Sequence, residues 1–252
     1  MKASLRSIFA SLLCILALLF GSTGAVAMTV QPVVLNLTVG GRSMSQVVTV
    51  TNSFTYPLAV ELRAEELVLD ASGVRSTGKE TGDLLIFPPQ AMIQPGQTQS
   101  FRVQFVGDPQ LARSKHYYVT VAQLPVQLQQ GQSAVQVLYN FQVLVSVSPA
   151  GAKPSIRVDR AEIQRTENGR PVPVVTVTNN AAAHGYLSNG RIRILQKDAS
   201  GKEVFRRTLS APEVQQAIGF GLVGAGQTRR VTLPVELPSE AGSVEAEFTA
   251  ED

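Results

Sequence analysis

Past residue 28, apolar and polar positions along this chain alternate, β-branched runs recur, and a 3.6-residue helical period is almost absent. Val47-Val48-Thr49-Val50-Thr51-Asn52 predicts a strand stopping at a turn-forming Asn, and the same six letters return at Val174–Asn179. Gly96-Gln97-Thr98 and Gly226-Gln227-Thr228 each lead into another strand, 44 residues after Asn52 and 47 after Asn179. Two motifs in the same order at matched spacing indicate two copies of one β unit, offset by about 130 residues.

Each copy holds about seven strand candidates, the signature of an immunoglobulin-like sandwich. In the first they are 29–37, 44–52, 57–69, 84–87, 98–106, 116–124 and 134–148; in the second, 154–163, 172–179, 186–197, 203–210, 214–222, 228–236 and 243–250. The expected fold is therefore all-β, with two such sandwiches in tandem at 28–149 and 150–252. Between them, Ser148-Pro149-Ala150-Gly151-Ala152-Lys153-Pro154 interrupts any ladder and is the natural hinge.

Residues 1–27 carry a different pattern: Lys2 and Arg6, the apolar run Ile8–Phe20, then small residues ending Ala25-Val26-Ala27. This is the pattern of a cleaved signal peptide, and the run is shorter than the roughly 20 residues a membrane span takes. No later segment is apolar enough to insert, so the mature chain is expected to be exported without membrane insertion. The single cysteine, Cys14, lies in this leader, which excludes a disulfide or Cys-rich metal scaffold. With Lys2 and Arg6 gone, 20 of the 22 basic residues face 19 acidic ones. That balance gives no reason to expect nucleic acid as a partner.

One strand candidate is longer than a sandwich needs. From Val135 to Val147 every odd position is apolar: Val135, Val137, Tyr139, Phe141, Val143, Val145 and Val147. Thirteen residues at about 3.3 Å each span roughly 43 Å, over twice a typical strand. Either the whole row packs inside its own sandwich, or part of it pairs with a partner's backbone and fills the partner's core. The preceding Pro125–Gln132 segment is Gln-rich and uncharged, as expected of a mobile loop.

Three stretches resemble the periplasmic chaperones of chaperone–usher pilus assembly. They are Phe87-Pro88-Pro89 through Pro95-Gly96-Gln97-Thr98 to Phe101-Arg102-Val103, then Tyr117-Tyr118-Val119 to Leu124-Pro125, and the alternating strand that ends at Pro149. The resemblance implies two immunoglobulin-like domains set in an L, working in the periplasm with no enzymatic activity and no cofactor. It implies pilus subunits and an outer-membrane usher as partners, a subunit lacking its last strand being completed by Val135, Val137, Tyr139 and Phe141. Better-known members also carry a basic pair that anchors the subunit's terminal carboxylate, and an interdomain charge cluster. Here the first strand and Val135–Val147 hold no basic residue, and Ser114 and Ser148 stand where the interdomain charges are expected. Arg102 and Lys115 are the candidates for a displaced anchor; against that role, Arg102 reads as a structural Arg holding neighbouring loops and Lys115 as a solvated surface residue.

Other constellations carry less. Gly219–Gly224 matches a dinucleotide fingerprint by letters but lacks a βαβ context, and is read as a turn. His116 and His184, the only histidines, are far apart in sequence and lack Cys partners, so no metal site or Ser-His-Asp hydrolase is expected. Glu65-Glu66 is read as a solvated edge, and Arg206-Arg207 and Arg229-Arg230 as surface doublets. A secreted two-domain adhesin is the alternative function on the same fold.

Overall fold

The computed structural model describes residues 27–125 and 137–251. The expected leader, apart from Ala27, and Val135 lie outside the described residues. The first ten strands are β1 (Met28–Gln31), β2 (Val34–Thr38), β3 (Ser45–Asn52), β4 (Leu58–Asp70), β5 (Gly73–Glu80), β6 (Leu84–Phe87), β7 (Gln90–Ile93), β8 (Thr98–Phe105), β9 (Lys115–Gln123) and β10 (Asn140–Ser148). They form two sheets, one ordered β1-β3-β8-β6 and the other β2-β10-β9-β4-β5, with β7 also on β4. The first predicted strand, 29–37, is split at Pro32, which has no N–H to give a ladder. Its first half pairs antiparallel with β3, and its second half crosses to lie parallel to β10.

Alternation places one row of each strand in the shared core. Val48, Val50, Phe101, Val103, Phe105, Tyr117, Val119 and Val121 are fully buried there, together with Leu35, Val143, Val145 and Val147. Among the described residues the longest strand is β4 at 13 residues, and β10, which holds the described end of the alternating run, has 9. Two strands absent from the sequence reading pair along it: β7 with Leu58–Glu61, and β5 with Glu65–Asp70.

The second domain contains β11 (Ile156–Arg165), β12 (Pro171–Asn179), β13 (Gly185–Tyr186), β14 (Gly190–Lys197), β15 (Glu203–Leu209), helix α1 (Ala211–Ile218), β16 (Leu222–Val223), β17 (Thr228–Thr232) and β18 (Ser243–Ala250). Sheets β11-β12-β17 and β15-β14-β18, with the short pair β13-β16, enclose Val175, Val177, Leu187, Ile192, Ile194 and Leu233. The expected strand at 214–222 is instead helix α1 followed by a turn. Ser210 and Glu213 form a capping pair: the Glu213 carboxylate accepts both the Ser210 N–H and its hydroxyl, each at 2.8 Å. Gly219, at φ 69°, ends the helix in a conformation other residues rarely adopt. Only Val214 of α1 is buried, so the helix offers a short apolar signal to any periodicity search.

The repeated motifs perform the same task twice. Asn52 and Asn179 are fully buried at the ends of β3 and β12. Asn52 Nδ2 donates to the Tyr56 and Ile93 carbonyls, at 2.9 and 2.8 Å, while Oδ1 accepts the Phe54 N–H. Asn179 Nδ2 donates to Ala183, Val223 and Gly224, and Oδ1 accepts from Ser155 and Ala181. Their own N–H groups donate to the carbonyls of Gln97 and Gln227. Each Asn thus ties the end of one strand to the Gly-Gln turn that opens another, which is why the two motifs recur at nearly constant spacing.

Candidate functional site

The alternating row from Val137 to Val147 is divided by its surroundings. Val143, Val145 and Val147 are fully buried in their own core, and Phe141 is half-buried against it. Tyr139 and Val137 turn outward, 44% and 62% exposed, and Leu138 beside them is 43% exposed. Strand β10 begins at Asn140, so of the expected strand at 134–148 the residues Val137, Leu138 and Tyr139 precede the regular ladder, and 134–136 lie outside the described residues. The ladder to β9 continues one residue further, the Gln123 N–H donating to the Tyr139 carbonyl at 2.9 Å. The Tyr139 ring stacks on Phe54, centroids 6.2 Å apart, and Phe54 stacks on Tyr56 at 5.0 Å.

One side of β10 is open where those side chains emerge. Strand β9 pairs with Asn140–Val147, whereas β2 pairs only with Leu144–Ser148. Among the described residues no strand lies beside Asn140–Val143 on the β2 side. An edge with free backbone groups and an outward apolar row can accept another strand and place side chains in its owner's core.

The two anchor candidates are not brought together. Arg102 is exposed on the outer face of β8, between Val47 of β3 and Phe87 of β6, in the sheet that does not contain β10. Lys115 opens β9 and is engaged: its ammonium lies 2.9 Å from Asp83 and 4.0 Å from Glu66. The Tyr117 hydroxyl also donates to Asp83, at 2.7 Å. The Lys115 hydrogen bond holds the Asp83 carboxyl below its ordinary pKa, and burial pushes the Tyr117 phenol up.

The two histidines, distant in sequence, meet at the joint between the domains. The ring of His116 on β9 stands edge-on to that of His184, just before β13, with centroids 5.2 Å apart. His184 Nδ1 lies 3.1 Å from Ser114 Oγ and 3.0 Å from Ser148 Oγ, and its Nε2 lies 3.0 Å from Asn36 Oδ1. The Tyr186 hydroxyl donates to the same Asn36 oxygen at 2.8 Å. The two serines that stand in place of charges thus belong to an uncharged polar network across the joint. A second contact links the β4–β5 turn to the turn before β17: Gln227 Nε2 donates to the Asp70 carbonyl, and the Arg230 N–H to that of Ala71. Arg229 is half-buried beside Gly73 of that turn, so this doublet is not purely a surface feature. Neither Glu65 nor Glu66 is simply solvated: Ser76 Oγ donates to Glu65, and Glu66 faces Lys115.

Among the described residues no group of three or more His, Cys, Asp or Glu side chains gathers in a metal-binding arrangement, and no helix is long and apolar enough to cross a membrane.

The first sandwich, joined to the second at a polar seam, thus ends in a half-open last strand. Residues 28–153 match the family of pili and flagellar-assembly chaperones, PapD N-terminal domain. The chain belongs to this family and is a pilus assembly chaperone. Solved structures agree over both domains. The YadV chaperone is 14% identical with a TM-score of 0.54, covering 89% of this chain and 93% of its own. The structure of Salmonella enterica SafA pilin with the SafB chaperone gives 12% and 0.51, covering 91% and 99%. The CsuC–CsuE chaperone–tip subunit pre-assembly complex of Acinetobacter baumannii gives 13% and 0.50, covering 85% and 94%. At these identities the likeness concerns the fold. No curated protein matches the chain.

Proposed function

We propose that this chaperone works in the periplasm, binds pilus subunits by donor-strand complementation along β10 and its N-terminal extension, and delivers them to an outer-membrane usher. The observation carrying this reading is the half-open edge at Asn140–Val143, with Val137 and Tyr139 exposed in the same alternating row. Val135 continues that row in sequence, and Phe141 offers the part of its surface that its own core leaves free. A subunit sandwich lacking one strand has a groove of apolar side chains between two unpaired ladder edges, and this edge supplies both kinds of contact. Release then needs only a competing strand from the next subunit, so no bond is broken and no cofactor is called for. Of the cations considered for the subunit's terminal carboxylate, Lys115 is already engaged and Arg102 lies on the other sheet, so the reading rests on the strand.

The test is co-expression with a pilus subunit that lacks its last strand, followed by purification through a tag on the subunit. Val137→Asp with Tyr139→Asp places two carboxylates in an apolar groove and should abolish co-purification. Both positions are exposed in the free protein, so its thermal stability should stay within a few degrees of wild type. Retention of the subunit by the double variant would overturn the proposed contact.

A further inference from the structure

The seam between the domains brings both histidine rings together among uncharged polar groups. Asn36 Oδ1 can only accept, and it lies 3.0 Å from His184 Nε2, so that nitrogen carries the proton. His184 Nδ1 then accepts from one hydroxyl of the Ser114–Ser148 pair, and the other hydroxyl bonds its neighbour across 2.9 Å. His116 is 4% exposed; its Nδ1 faces Ser146 Oγ at 2.9 Å, while its Nε2 is buried without a partner among the described residues. An unpaired lone pair is tolerable there, but protonation would bury an unpaired N–H and a positive charge 5.2 Å from a second imidazole.

Among the described residues no carboxylate bonds either ring. From the packed elements, β2 and β10 present only Asn36, Ser146 and Ser148, and β13 presents Tyr186. On the remaining side lies an interdomain cavity of about 320 Å³, lined by Glu66, Lys115, His116 and Gln227 among others. The Glu66 charge there is answered by Lys115, which Asp83 also holds.

We propose that this joint is an acid-released hinge: the domains dock with His116 and His184 neutral, and mild acid uncouples them by protonating the separated rings. Burial pushes the docked rings to about 3 for His116 and about 4 for His184. Separated and hydrated, each returns to about 6.5. Opening therefore gains about 20-fold per histidine between pH 7 and pH 5, and several hundred-fold for the pair. On the reading that the chaperone is periplasmic, it works in a compartment whose acidity follows the medium.

Hydrogen exchange of the full chain tests this through the amides that span the seam, Ser114 N–H on Ala182 and Arg230 N–H on Ala71. After correction for intrinsic exchange, their protection should fall more than 100-fold from pH 7 to pH 5, while amides in β8 and β12 keep theirs. His116→Gln and His184→Gln should each reduce that fall to about 20-fold. An unchanged protection ratio in wild type would overturn the proposal, as would variants that respond to pH as strongly as wild type. Should a variant lose protection already at pH 7, NMR titration of the wild-type rings decides. Values near 6.5 in the docked protein refute the hinge, and values below 5 support it.

Discussion

Replacing Asn179 by Ala and by Asp separates two explanations for the repeated Asn. The side chain is fully buried and engages five backbone groups, donating to Ala183, Gly224 and Val223 at 2.8, 3.1 and 3.2 Å. It accepts from Ser155 and Ala181 at 3.0 and 3.1 Å. Truncation to Ala leaves buried carbonyls and N–H groups unmatched at about 1–3 kcal/mol each. Water reaches those nearest the surface, so Asn179→Ala should cost about 3–5 kcal/mol. Asp is as good a turn former as Asn. It would, however, aim an acceptor, charged at neutral pH, at three carbonyl oxygens, so Asn179→Asp should cost at least as much as Ala. Urea unfolding followed by far-UV circular dichroism measures both. Four of the five tyrosines lie in the first domain, so tyrosine fluorescence reports separately whether that domain is spared. Wild-type stability in Asn179→Asp would show that the amide donor holds nothing and that turn propensity explains the motif. Asn52, with three such contacts, should show the same order at a smaller cost of about 2–4 kcal/mol.

Further outcomes follow from the same geometry. Phe141→Ala should lower the chaperone's own stability by about 1–2 kcal/mol because the ring packs partly on its core, whereas Val137→Ala should change it by less than about 0.5 kcal/mol, both read by urea denaturation. Asp83→Asn removes the carboxylate charge that Lys115 pairs with, leaving only an amide oxygen to accept from Lys115 and Tyr117, and should cost about 1 kcal/mol at pH 7. The folded pKa of Asp83 is lowered, so its stabilisation is complete above the unfolded value and is lost as pH falls through the folded one. The gap between wild type and Asp83→Asn should therefore stay open down to the ordinary carboxylate pKa of about 4 and close as pH falls further in an acid-unfolding series. Ser210→Ala breaks the capping pair of α1 and should cost about 1 kcal/mol by thermal unfolding. Gly242→Ala should severely destabilise the second domain, because at φ 90° its Cβ would come within 1.9 Å of the Lys197 carbonyl oxygen.

Much of the architecture was legible because a strand writes its two faces directly into alternate letters. The tandem arrangement came from Asn52 and Asn179 with their Gly-Gln partners, residues whose local bonding dictates their type. Helix α1 was not legible from periodicity, since eight residues burying only Val214 produce no stripe, yet Ser210 and Glu213 three positions apart were a usable signal. Strands β5 and β7 were missed for a related reason: they are short or polar, and β4 recruits them through backbone pairing.

The candidate site shows the boundary between the two kinds of information. By itself, the sequence determined that an alternating apolar row runs from Val135 to Val147, that the chain is built twice from one β unit, and that one Cys precludes stapling. Tertiary structure decided where that row stops being core: Val143, Val145 and Val147 lie inside the sandwich, whereas Val137 precedes β10 and lies beyond its core, so identical letters are interior at Val145 and surface at Val137. It also decided that His116 and His184 meet, as do Ser114 and Ser148, because the two domains fold back on a shared seam. Side-chain period is a local property of backbone geometry and is carried by neighbours in the chain. Burial and proximity depend on which distant strand arrives alongside, and no single stretch of sequence records that.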